Sequence, residues 1–204
     1  EYKGIIIDNA GCDPKTWNNH GSIVQFGNQW YVLYHRSTHG SSAKRKACIE
    51  PIEFNPDGTI NEVEMTSQGA GAPLDAFKTI YAAQTCWMNG NARIRGMQNN
   101  PLKEELGAIR NNDIAVWKYL DFDTGANQMS IEVKSDLGGE IIVRADSPNG
   151  NILGTFTIPA NTDWKVYETT IKTISGVHAL WMEWKGPESD SNELFRINWF
   201  TFAK

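Results

Sequence analysis

Trp164 stands between a polar loop, Pro159 to Asp163, and an alternating run, Trp164–Thr170. A large ring at the lip of a loop, backed by a rigid sheet, offers an apolar face on which a sugar can stack. The same ring can instead cap a core, and spacing leaves both readings open. A second group of polar residues lies nearer the start, with Asn18-Asn19-His20-Gly21 ahead of one strand-like run and Tyr34-His35-Arg36 closing the next. Strand ends often carry functional side chains. A loop histidine at His20, a core-flanking His35 and an Arg36 paired with a nearby carboxylate account for the same residues. Cys12, Cys48 and Cys86 are odd in number and lack metal-ligand spacing, which argues against a disulfide framework. Cys48 and Cys86 sit in apolar contexts and read as buried thiols.

The elements that must hold these residues read as strands. Glu140–Asp146, Leu153–Ile158 and Trp164–Thr170 are short β-type runs, the first two separated by Ser147-Pro148-Asn149-Gly150, where Pro fixes φ and Asn-Gly tolerates positive φ. Ile114–Phe122, Gln128–Ser135, Val177–Trp184 and Leu194–Phe202 alternate in the same way, and no helical period of any length interrupts them. Many short alternating strands divided by turn signals indicate a β-sandwich. In Val177–Trp184 the Leu180/Met182/Trp184 face is the better core candidate, leaving Trp181 on the outside. Before these come Ser22–Phe26, Trp30–His35, Ala47–Phe54 and Thr59–Glu64, with a strand-like run over residues 1–8 and tight turns at Gly27-Asn28 and Asn55-Pro56-Asp57-Gly58. Four antiparallel strands in about 45 residues is the size of one propeller blade, and one blade cannot bury both of its faces. Residues 66–78 shift to Gly, Pro and small side chains and read as a linker packed along its neighbours.

The 204 residues carry a net charge of −5, with 40% hydrophobic and 21% charged residues. That balance fits a globular chain without the basic field that nucleic acid or an anionic membrane surface would need. The apolar runs are too short to span a bilayer as helices. Eight Trp, eight Phe and six Tyr suit sheet cores and carbohydrate platforms alike. EYKGIII lacks the basic start and cleavage site of a signal peptide, and the chain begins as if cut from something longer.

NNHGSIVQFGNQWYVLYHRSTHGSSAKRKACIEPIEFNPDGTI resembles the last blade of the five-bladed propeller of glycoside hydrolase family 43, which contains β-xylosidases, arabinofuranosidases and arabinanases. The resemblance covers residues 1–65. It implies that His20 lies near the propeller axis, beside a calcium ion or its water shell, and that Arg36 lies near the substrate pocket. It also implies inverting hydrolysis by an Asp base and a Glu acid from other blades, since two carboxyls must flank the bond with room for a water. No catalytic acid or base is therefore assigned in this chain, and Glu50 and Glu53 read as ordinary blade residues. Residues 75–204, with DSPNG…GTFTIP and GVH…LFRINWF, resemble carbohydrate-binding module family 6, a β-jelly roll that commonly follows a family 43 domain.

This second resemblance implies a loop-end cleft in which two aromatics sandwich a sugar and an asparagine anchors it. Trp164 matches one aromatic; Ala108 replaces the other; Glu193, with Asn192 adjacent, replaces the asparagine. Losing one stacking ring costs about 1 kcal/mol. Trp87, Trp117 and Tyr119 could compensate, although sheet periodicity places them in the core. The family's structural calcium is held by two early glutamates and a late aspartate, which here read Tyr81, Ala83 and Asn198, so no metal is expected in the sandwich.

The expected architecture is all-β: a partial propeller blade over residues 1–65, a linker over 66–78 and a carbohydrate-binding sandwich over 79–204. Its partners would be xylan- or arabinoxylan-type glycans and further propeller blades, with no nucleic acid and no membrane. Its location would be secreted or periplasmic. The alternative is a sandwich that buttresses the propeller and binds no sugar.

Overall fold

The computed structural model describes residues 1–8, 19–189 and 192–204. Asn18, Cys12 and the rest of the loop before Asn19 lie outside the described residues. Three sheets carry the fold. The first has strand order β1-β2-β3, from Gly21–Phe26, Gln29–Thr38 and Ser41–Ile52, all antiparallel. Thr59–Glu64 does not add a fourth strand. Among the described residues, Ile60 makes an isolated bridge to Phe54, just past β3, and the Val63 N–H donates to the Ile6 carbonyl at 2.6 Å. Residues 1–8 form no strand either.

The sandwich is built from β4 (Leu74–Asp75), β5 (Ile80–Tyr81), β6 (Trp87–Met88), β7 (Arg93–Met97), β8 (Asn100–Ile109), β9 (Ile114–Asp121), β10 (Ala126–Ser135), β11 (Gly139–Ala145), β12 (Ile152–Ile158), β13 (Asn161–Ile174), β14 (Val177–Lys185) and β15 (Phe195–Ala203). One sheet runs β13-β10-β15-β8-β7 with β5 beside β15; the other runs β12-β11-β14-β9-β4 with β6 beside β9. β11 and β12 form the hairpin that Asn149-Gly150 foreshadows, but β13 crosses to the opposite sheet. β13 also starts at Asn161, so Trp164 lies inside a strand rather than on a loop lip.

The period-2 pattern sets the core. Leu180, Met182 and Trp184 point inward from β14, Ile131 and Val133 from β10, and Ile197 and Phe200 from β15, all fully buried. Trp117 is fully buried and meets Phe200 edge-to-face at 5.1 Å. Trp181 is half-buried on the outer face, 5.8 Å from Trp87. The β7–β8 hairpin has charged side chains where a strand pattern normally shows apolar ones, because Arg95 Nε pairs across it with Glu105 at 2.8 Å.

The three-stranded sheet is seated on the sandwich through polar contacts. The Ser67 and Gln68 N–H groups donate to the Lys118 carbonyl at 2.5 and 3.0 Å. Glu64 accepts from Lys118 Nζ and from the Tyr119 hydroxyl, each at 2.7 Å. Tyr119 therefore belongs to this seam and not to the core. Glu50 is buried and accepts from Tyr34 Oη, the Thr66 N–H and Thr66 Oγ1, so it is a structural anchor; burial pushes its carboxyl upward against those bonds. Away from the seam the sheet exposes Phe26, Ile23 and Leu33, with Ile5 and Tyr2 alongside. Cys48 and Cys86 are free thiols, Cys86 fully buried and Cys48 half-buried, and burial raises both.

Candidate functional site

At one end of the sandwich, a row of side chains crosses the outer face of the β13-β10-β15-β8-β7 sheet. Val133 and Ser135 point inward from β10, so Lys134 points outward. The register between β10 and β13 slips between Val133↔Lys165 and Ser135↔Asn161. This irregularity brings Trp164 alongside Lys134, whose ammonium stands 5.3 Å from the ring centroid. Lys134 pairs in register with Arg196 on β15. Arg196 Nε in turn donates to Glu193.

Glu193 is the hub of the row. It accepts two bonds from Arg95 Nη2, at 2.7 and 2.8 Å, one from the Ala108 N–H at 2.6 Å, and the one from Arg196. Ala108 adopts φ of 55°, which turns its N–H onto the carboxylate. Gly107 leaves room for the guanidinium: a Cβ there would stand 2.6 Å from Arg95 Nε. Burial pulls the Glu193 carboxyl upward, but Arg95, the Ala108 N–H and Arg196 outweigh it and hold it below the usual carboxylate range. Arg95 is correspondingly raised: burial lowers it, and Glu193 and Glu105 more than offset that.

Two expectations change here. Glu193 accepts four bonds from three protein groups, which commits its carboxylate to the fold. Asn192 does not converge with Trp164. It is exposed, its N–H donates to Ser189 Oγ at 3.1 Å, and it lines a separate polar cavity of about 420 Å³ with Asn91, Arg110 and Asn111. Trp164 is half-buried, and Ala108 supplies no second ring. Of the compensating aromatics, Trp117 is core, Trp87 packs on Trp181 and Tyr119 binds Glu64, so none reaches Trp164.

His20 stands exposed at the end of β1, its Nδ1 3.3 Å from His35 Nε2. Burial, Arg45 and His20 lower His35. Among the described residues no group of three or more His, Cys, Asp or Glu converges on a metal position. Arg36 is buried in the seam, its Nη1 3.5 Å from the Thr85 carbonyl.

The residues at the family's calcium positions also come together, in a groove of about 780 Å³ that includes Tyr81, Ala83, Asn198 and Glu132. Tyr81 lies opposite Trp199, and the Asn198 amide donates to Glu132. Lys46 reaches in from β3 and donates to the Ala83 carbonyl at 2.9 Å, with Glu104 3.6 Å away. Calcium requires several anionic oxygens. An ammonium and three neutral side chains stand there instead, and the carboxylates that are present are engaged, so the residues do not fit the ion.

Sequence reading missed Arg95, Lys134, Arg196 and Lys46. A signal existed for Arg196, which lies between the inward Phe195 and Ile197. Arg95 and Lys46 had none, because their partners are remote in sequence.

A family model for carbohydrate binding module (family 6) matches residues 82–204. Over 97% of its length the chain is 30% identical to a xylosidase/arabinosidase of Thermoclostridium stercorarium, of which it covers 48%. It superposes along its whole length on 45% of a Bacillus subtilis glycoside hydrolase family 43 arabinoxylan arabinofuranohydrolase solved with cellotetraose, with 27% identity and TM-score 0.66. A family 6 module from Clostridium cellulolyticum solved with xylose matches 64% of the chain and 99% of its own, with 26% identity and TM-score 0.58. The chain thus spans less than half of the two enzymes it resembles.

Proposed function

Because residues 82–204 make this chain a member of carbohydrate-binding module family 6, we propose that it is the glycan-binding end of a plant-polysaccharide hydrolase of the xylosidase/arabinofuranosidase type. The three-stranded sheet serves as the last blade of a family 43 propeller, and its exposed Phe26, Ile23 and Leu33 pack against the neighbouring blade. The catalytic acid and base then come from other blades. His20 faces the propeller axis, where it would approach the water shell of a calcium ion held by oxygens from elsewhere. Polysaccharide substrates are found outside the cell, which supports a secreted or periplasmic location.

The half-buried Trp164 carries the binding reading: a ring on the outer face of a rigid sheet, beside the Lys134 ammonium. Titration of xylo- and arabino-oligosaccharides should show affinity on the order of millimolar, as one stacking face allows. Trp164→Ala should abolish it and leave the melting temperature nearly unchanged. A second reading, a buttress that binds no sugar, draws on the saturated Glu193 and on Ala108. Absence of binding to either protein would favour the buttress, and unfolding of Trp164→Ala would make that residue core.

A further inference from the structure

We infer, resting on the glycan-binding reading above, that the Trp164 face takes an acidic sugar, a hexuronate unit whose carboxylate pairs with Lys134. Neutral sugars are held through hydroxyls that both donate and accept, so a donor beside the ring uses only part of what a hydroxyl offers. The carboxylate at the centre of this row is occupied. Glu193 is bound by Arg95, Arg196 and the Ala108 N–H, and Asp136 stands 3.9 Å from Arg196. What faces outward next to the indole is a donor. The Lys134 ammonium has no carboxylate within 4.0 Å among the described residues, its ring contact with Trp164 being the interaction it makes.

A hexuronate matches both halves of this arrangement. The C–H face of the sugar stacks on the indole as any pyranose does. Its carboxylate accepts from an ammonium, and such charge-assisted bonds are about twice as strong as neutral ones. The position of Lys134 is set from both sides, since β10 pairs with β13 and β15 in that stretch and Val133 and Ser135 are buried. Its four-carbon stem lets the ammonium swing from over the ring to the rim when a sugar arrives.

The test compares three ligands on the full chain by calorimetric titration: a glucuronosyl-substituted xylo-oligosaccharide, its carboxyl methyl ester, and the unsubstituted oligosaccharide. At low salt the acid should bind about fivefold to tenfold tighter than the ester. The difference should shrink sharply near 1 M salt, where the Debye length is about 3 Å. Lys134→Met should bring the acid down to the ester's level, and Lys134→Arg should retain the preference. Equal affinity of acid and ester on the wild type, or a preference that survives Lys134→Met, overturns acid selection. If the acid, the ester and the neutral oligosaccharide all bind through Trp164 without discrimination, only this inference falls. If nothing binds, the glycan-binding reading falls with it.

Discussion

Replacing Glu193 by Ala should destabilise the sandwich more than any substitution of an exposed residue in the loop-end row. Glu193 is 8% exposed, and its removal leaves Arg95 with Glu105 alone while stranding the Ala108 N–H and one face of Arg196. Breaking a buried ion pair by deleting one partner costs about 3–5 kcal/mol. The Arg95 side chain is 32% exposed, so water recovers part of its solvation, and about 2–3 kcal/mol is the better expectation. For a chain of this size that is a fall in melting temperature of roughly 4–12 °C. Differential scanning calorimetry at neutral pH reads it directly.

A pH series checks the cause. The Glu193 carboxyl is held below its ordinary value of 4.5 in the folded state. Its ion pairs therefore contribute in full above that pH, and the contribution is lost as pH falls through the lower, folded-state value. The gap between wild type and Glu193→Ala should be widest at neutral pH and narrow below about pH 4.5. Glu193→Gln should fall between the two. A melting temperature unchanged to within about a degree, coupled with lost sugar binding, would refute the reasoning and return Glu193 to the role of a sugar ligand.

Tyr119 titrates at about 12 rather than 10.0, because burial and then the adjacent Glu64 oppose its ionisation. The stability tied to the neutral phenol is fully present below pH 10 and lost as pH rises toward 12, so wild-type urea midpoints should drop faster across that range than those of Tyr119→Phe. Parallel curves would count against it. Lys46→Met removes the three-stranded sheet's contact with the Ala83 carbonyl and should lower the melting temperature by about 2–4 °C, while calcium or a chelator should move neither protein by more than about a degree. A rise of several degrees on adding calcium to the wild type would show that Glu104 and Glu132 hold an ion after all.

The sequence by itself determined the elements whose alternation is unbroken. Over residues 129–135 of β10 and 180–185 of β14 a period of two assigns each side chain to a face, so Leu180, Met182 and Trp184 could be placed in the core and Trp181 outside it before any coordinates. The Asn149-Gly150 turn was equally local. The β7–β8 hairpin was not legible, because charges such as Arg95 and Glu105 sit there as a cross-strand pair, where an apolar pattern would have marked a strand. Thr59–Glu64 has the pattern of a blade strand, yet Glu64 is drawn to Lys118 and Tyr119, more than fifty residues on. Only the tertiary structure decided the site. Glu193 and Arg95 are 98 positions apart, and whether a glutamate beside an asparagine faces a sugar or an arginine depends on which strands the sheet sets side by side. Hydrophobic periodicity is written into neighbouring residues, whereas a saturated carboxylate is defined by donors that folding alone brings to it.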